Sequence, residues 1–197
     1  MPTRPAAYSR TAVSLHWAIA LVIFAAFPLG IYMHDLALSP TKLRLINYHK
    51  WIGITALILA IVRVAWRLVY RPPDLPPTMA PWERSTALAM HILLYVLIIA
   101  APLSGWLMSS ATGFQTVWFG VIPLPDLIGK DKELGRFLLE LHSNLNYLLI
   151  ALAGLHIAAA LKHHFVAHDG ILAQMIPFLR KSDPPLAADS FPRRGHR

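Results

Sequence analysis

The sequence predicts an all-α integral membrane protein, a four-helix bundle with both termini in the cytoplasm. Three observations carry that prediction. Of 197 residues, 56% are hydrophobic and only 14% are charged, against roughly 25% charged in ordinary globular chains, and the mean hydropathy is +0.50. The apolar residues fall into four blocks, each long enough for the roughly 20 residues of helix that a bilayer requires. Lys and Arg, finally, are distributed unevenly around those blocks.

The first span runs from about Val13 to Met33, the second from about Tyr48 to Val69, the third from about Ser85 to Met108 and the fourth from about Phe137 to Leu161. Pro28 and Pro102 fall inside spans, where neighbouring helices can satisfy the freed carbonyls. No small-residue cleavage site follows the first span, so it reads as retained. One membrane unit covers residues 1–181, and residues 182–197 (SDPPLAADSFPRRGHR) read as a polar cytoplasmic tail. The connection from Ser109 to Arg136 is long for a helix bundle. Its Phe114, Trp118 and Phe119 suit either a cover over a buried site or an interfacial aromatic belt.

Orientation follows from the basic residues. On one side lie Arg4, Arg10, Arg63, Arg67, Arg71, Arg84, Lys162, Arg180, Lys181, Arg193, Arg194 and Arg197. On the other lie Lys42, Arg44, Lys50, Lys130, Lys132 and Arg136. The positive-inside rule assigns the richer side to the cytoplasm and predicts a multi-pass protein of the bacterial inner membrane. The same rule accounts for the net charge of +8 without nucleic acid as a partner.

The chain has no cysteine. That excludes disulfides, iron–sulfur clusters and covalent c-type haem attachment. Histidine, by contrast, occurs ten times, several times inside apolar spans, where ionisable residues are costly and point to function. His49 opens the second span on the outer side. His142 and His156 lie fourteen residues apart on the fourth, which is about 21 Å of axial rise and within about 40° of one helical face. One helix thus offers an imidazole to each leaflet. His49 is the other intramembrane histidine at the outer depth; His16, His91 and His156 compete at the inner depth. Two planes of paired histidines suit two non-covalent haems, each gripped between helices by axial imidazoles. Zinc fits less well, because no carboxylate or cysteine completes a tetrahedron.

Gly53, Gly105 and Gly154 are small enough to let a porphyrin approach a helix, although small residues also pack membrane helices. Arg63 and Arg67, four apart on the inner half of the second span, are able to pair with haem propionates. Arg71 reads better as a snorkelling topology charge.

The segments SRTAVSLHWAIAL, INYHKWIGI, MHILLYVLIIAAPLSGWLM and LHSNLNYLLIALAGLHIAAALKHHF together resemble the prokaryotic cytochrome b561 family. The resemblance covers about residues 8–178. It implies two haem b groups with ligands from the first, second and fourth helices. His49 with His142 would hold the periplasmic-side group, and His16 with His156 the cytoplasmic-side group. The inner pairing rests on the resemblance. His163, two turns beyond His156, and His91 then become candidates for a cytoplasmic-side quinone site.

The resemblance further implies a superoxide oxidase-like oxidoreductase that takes electrons from periplasmic superoxide and delivers them to ubiquinone. Lys42, Arg44 and Lys50 lie near His49 as candidates for steering the anion, although loop charges are common. The outer side also carries Asp35, Asp126, Asp131, Glu133 and Glu140, so steering must come from local arrangement. The alternative is a passive dihaem subunit or membrane anchor linking quinone to a periplasmic redox protein. A haem-free small transporter shares the helix count but leaves the matched histidine depths unexplained.

Overall fold

The computed structural model describes residues 7–75 and 79–179. The tail expected over 182–197 lies outside the described residues, as do Arg4, Arg180, Lys181, Arg193, Arg194 and Arg197. Four long helices dominate: α1 (Arg10–His34), α2 (Pro40–Val69), α3 (Pro81–Thr112) and α4 (Lys132–Lys162). All four are long and apolar enough to cross a membrane. After α4 come a π-helical turn (His163–Ala167), the short α5 (Ile171–Met175) and a 3-10 turn (Pro177–Leu179).

Each long helix extends beyond the apolar run that announces it, because the capping chemistry lies in the flanking polar segments. Ser9 Oγ accepts from Ala12 N at 3.2 Å, and Ser39 Oγ accepts from Lys42 N at 3.2 Å, with Pro40 entering the first turn of α2. Asp131 Oδ1 accepts from Glu133 N and Leu134 N at 2.9 and 3.0 Å. These acceptors satisfy amide groups that a helix start leaves without intrahelical partners. At the far end of α3, Gly113 adopts φ +77° and turns its N–H back to Ser110 O at 3.0 Å, a left-handed closure that glycine makes without strain.

Sequential helices pack as neighbours, α1 on α2, α2 on α3 and α3 on α4. The buried centre is formed by Ile19, Ile54, Leu57, Ala60, Leu97, Ala101 and Leu149. Leu21, Leu68, Ile92 and Leu155 instead lie on the exterior, as lipid-facing side chains should. Between α1 and α4 the backbones pack less closely than in the sequential pairs, and side chains bridge the gap. Phe27 meets Tyr147 edge-on at 5.8 Å between ring centres, and His16 meets His156.

The long connection after α3 folds into a cap over the outer end. It carries a two-stranded antiparallel hairpin, β1 (Val117–Trp118) and β2 (Ile122–Pro123), with Val117 opposite Pro123 and Trp118 opposite Ile122. Three indoles hold the cap down. Trp51 Nε1 donates to Val117 O at 2.7 Å, Trp118 Nε1 to Thr55 Oγ1 at 3.3 Å, and Trp106 Nε1 to Pro125 O at 3.2 Å. Ser109 Oγ donates to Phe114 O, and Leu127 N donates to Ser110 Oγ. These bonds dock the connection on the bundle. Phe114, Phe119, Val121 and Ile122 remain exposed on it.

Candidate functional site

The five histidines singled out inside the spans gather in two clusters. At the outer end, His49 of α2 faces His142 of α4 with ring centres 6.1 Å apart and planes nearly perpendicular. At the inner end, His16 of α1 faces His156 of α4 at 6.3 Å. His91 of α3 reaches the same cluster, with its ring centre 5.3 Å from that of His156.

Those separations are chemically informative. A nitrogen–metal bond is about 2.0–2.1 Å for imidazole on a first-row ion, and the ring centre lies about 1.2 Å beyond the nitrogen. Two imidazoles sharing one ion on opposite sides therefore have centres about 6.3 Å apart. The His49–His142 and His16–His156 pairs match that spacing. The His91–His156 pair is about 1 Å too close for it.

The outer imidazoles are seated by groups that sequence patterns do not reveal. His142 Nδ1 donates to Ala101 O at 2.8 Å, with Ser104 Oγ 3.1 Å away. That bond fixes the tautomer and leaves Nε2 as the lone-pair nitrogen, the orientation that metal-bound histidines use. Asn146, one turn along α4, donates to His142 O at 2.7 Å and brings its amide nitrogen to 3.3 Å from Nε2. His49 Nδ1 is buried without a hydrogen-bond partner among the described residues.

Two glycines make room for these rings. A Cβ on Gly105 would stand 2.9 Å from His142 Cε1, and one on Gly30 would stand 3.2 Å from His49 Cε1. Gly105 therefore gives the His142 imidazole its room. A Cβ on Gly53 or Gly154 would meet no neighbouring group within 4 Å among the described residues, so there is open space beside these two positions. Gly30 went unnoticed in the sequence because its partner is on another helix.

At the inner end, Arg63 is held at two points. Its Nη1 donates to Ala12 O at 2.9 Å and its Nε to Tyr95 OH at 3.1 Å. Arg63 and Arg67 both place their guanidinium carbons over the Tyr95 ring, at 5.7 and 5.4 Å from its centre, a favourable cation–π arrangement. A small cavity beside them is lined by Tyr8, Trp66, Tyr70 and Tyr95. His163 lies past the end of α4, bonded through Nδ1 to Asp169 Oδ2 at 2.5 Å.

The steering candidates are less free than their sequence positions suggest. Lys42 Nζ donates to His34 O and Leu36 O at 3.1 and 2.6 Å, closing the end of α1. Lys50 Nζ donates to Phe114 O at 2.7 Å and ties the cap to α2. Arg44 is exposed.

Four membrane-length helices carrying histidine pairs at metal-sharing distance define a multi-pass membrane protein of the haem-binding, electron-transferring class. The chain belongs to the prokaryotic cytochrome b561 family, whose profile matches residues 7–178. It is 32% identical over 173 residues to cytochrome b561 homolog 2 of Escherichia coli K12, covering 87% of this chain and 92% of that one. It is 30% identical to cytochrome b561 homolog 1 of the same organism, covering 86% and 97%. It is also 30% identical to a probable superoxide oxidase, CybB, of Yersinia pestis, covering 86% and 96%. Membership implies b-type haem.

Proposed function

We propose that the chain binds two haem b groups and moves electrons across the bacterial inner membrane, from superoxide on the outer side to ubiquinone on the inner side. His49 with His142 would hold the outer group, and His16 with His156 the inner one. The observation that carries this reading is the pair of ring separations, 6.1 and 6.3 Å, with His142 and His156 about 21 Å apart along one helix. Bound there, haem supplies reversible one-electron transfer near each face of the membrane.

The protein's own groups divide the remaining work. The Ala101 carbonyl and Ser104 aim His142; Gly30 and Gly105 provide ring clearance. Arg63 and Arg67 are the cations available to the inner propionates. The tryptophan-fastened cap would limit the access of bulk water to the outer pair. Of the three steering candidates, Arg44 is the exposed one and would supply the positive charge for steering superoxide. His91, edge-on to His156, and His163 would bind quinone on the inner side. The balance is two superoxide ions giving two dioxygen molecules and two electrons, which with two protons convert one quinone to quinol. Support for superoxide as donor comes from the relative called a probable superoxide oxidase.

The test uses purified, partner-free protein. Two haems per chain, reduced within the mixing time by a superoxide generator and reoxidised by added ubiquinone, is the expected result. Reduction only by a periplasmic redox protein, with no response to superoxide, would instead assign the chain to the passive electron-transfer class.

A further inference from the structure

α4 gives one face to the bundle and the opposite face to lipid. Leu138 and Leu149 are buried, and with His142 and His156 they fall within about 40° of one direction round the helix. The far side carries a seven-residue repeat along the length of the span. Leu134, Leu141, Leu148 and Leu155 occupy one position of it, and Phe137, Asn144, Ala151 and Ala158 follow three residues after each. All of these are exposed except the half-buried Leu141. Asn144, Leu148, Ala151, Leu155 and Ala158 are centred about 160° from His142, and none of them meets another helix through a printed ring contact, ion pair or side-chain hydrogen bond. Heptads sustained in this way are the pattern of a helix that packs along a second helix in a left-handed supercoil.

Leucine and alanine on that face are also what lipid requires. Asn144 is not. It lies four residues inward of Glu140, about 6 Å along the axis, and its side chain is too short to reach back to the headgroups. It is exposed, and its amide makes no hydrogen bond among the described residues. Other polar side chains in the spans are satisfied inside the chain. Asn146 donates to His142 O at 2.7 Å, Thr55 to Trp51 O at 2.8 Å and Ser110 to Trp106 O at 3.1 Å. A carboxamide left unpaired in hydrocarbon is costly, and hydrogen bonds between such groups are one of the forces that hold membrane helices together.

We propose that α4 pairs in parallel with α4 of a second copy of this chain, about a twofold axis along the membrane normal. Polar complementarity selects a second copy as the occupant. A carboxamide both donates and accepts, so Asn144 satisfies Asn144 of the second copy. Two copies inserted in one orientation bring these amides to the same depth with no shift of register, as an isologous interface requires. Layers of Leu148 and Leu155 alternate with layers of Ala151 and Ala158, and the small side chains let the helix axes approach to the 8–10 Å of packed helices. Lys162 stands at the next place in the leucine series, but its ammonium is bonded to Glu83 of its own α3 at 3.0 Å, so like charges do not oppose the contact. The pairing covers the back of α4 and leaves His142 and His156 facing into their own bundle.

The chain contains no cysteine, so single introduced cysteines report the contact directly. The full chain carrying L148C, A151C or L155C is oxidised with copper phenanthroline in its native membranes, and then in liposomes of rising lipid-to-protein ratio. All three are expected to give a disulfide-linked species of twice the chain mass that persists on dilution. I157C, exposed on α4 but off the seam, should not. The cross-linked fraction of L155C against lipid dilution gives a dissociation constant. N144L should raise it by about 3- to 30-fold, the worth of one interhelical polar contact, with helical circular dichroism unchanged, and N144Q should raise it less. Absence of the linked dimer at every seam position, equal linkage at I157C, or a wild-type constant in N144L each overturn the proposal. Linkage of the seam cysteines to a different protein in native membranes, with none between copies in liposomes, also overturns it and gives the face to another membrane helix. If N144L does not accumulate, the contrast between the seam cysteines and I157C in the otherwise unchanged chain decides.

Discussion

Replacing Gly105 with alanine puts a methyl carbon 2.9 Å from His142 Cε1 and 3.1 Å from its Nδ1. Carbon–carbon contacts are comfortable only from about 3.5 Å, so the ring must retreat from α3 by about 0.6 Å. Ala101, whose carbonyl holds His142 Nδ1 at 2.8 Å, is on α3 as well, one turn before Gly105. Retreat therefore stretches that bond towards about 3.4 Å, beyond the usual range for N–H···O. Losing the bond costs about 0.5–1.5 kcal/mol, and forcing a methyl into the contact costs about 1–3 kcal/mol. Together these amount to about 1.5–4.5 kcal/mol against a correctly aimed outer imidazole, or roughly 10- to 2,000-fold in retention of its ligand. The assay is haem content per chain with oxidised and reduced spectra of purified G105A. The expected result is one haem per chain and a spectrum superimposable on that of H142A. Two haems with wild-type spectra would refute the steric argument, and loss of the inner haem instead would refute the assignment of His142 to the outer pair.

Further perturbations test the remaining parts of the arrangement. H49A and H142A should remove the same haem, and H16A and H156A the other, while H91A retains both; spectra and haem stoichiometry decide, and an H91A that loses the inner group while H16A keeps it reverses the inner pairing. W51F removes the 2.7 Å bond to Val117 O at about 1 kcal/mol; faster protease nicking between residues 114 and 130 with both haems retained is expected, and an unchanged digestion pattern would show that the other fastenings hold the cap without it. R44E should lower the rate of haem reduction by superoxide and weaken its dependence on ionic strength, whereas identical salt profiles would remove steering from the account.

Membrane spans and the fourteen-residue spacing of His142 and His156 were legible in the sequence because both signals are local: hydropathy accumulates along one segment, and helical periodicity sets which side chains share a face. The caps at Ser9, Ser39 and Asp131 are also local, yet they lie in polar sequence outside the apolar blocks, so the helices proved longer than the spans. His16 and His91 could not be separated by depth along their own helices. Their ring distances to His156, 6.3 and 5.3 Å, depend on how α1 and α3 lean against α4.

The same limit explains what went unseen. Gly30 against His49, Ala101 and Ser104 against His142, and Lys50 bonded to Phe114 rather than left free are contacts between segments far apart in sequence, with no pattern at either end. Asp169 is only six residues from His163, but a π-turn and two left-handed residues bring them together, and helical periodicity does not anticipate that reversal. By itself the amino-acid order determined a membrane bundle with imidazoles near both faces, since burial in lipid constrains each helix separately. Tertiary packing decided which imidazoles meet at a metal-sharing distance, what aims them and what covers them, because those depend on sub-ångström differences in how neighbouring helices pack.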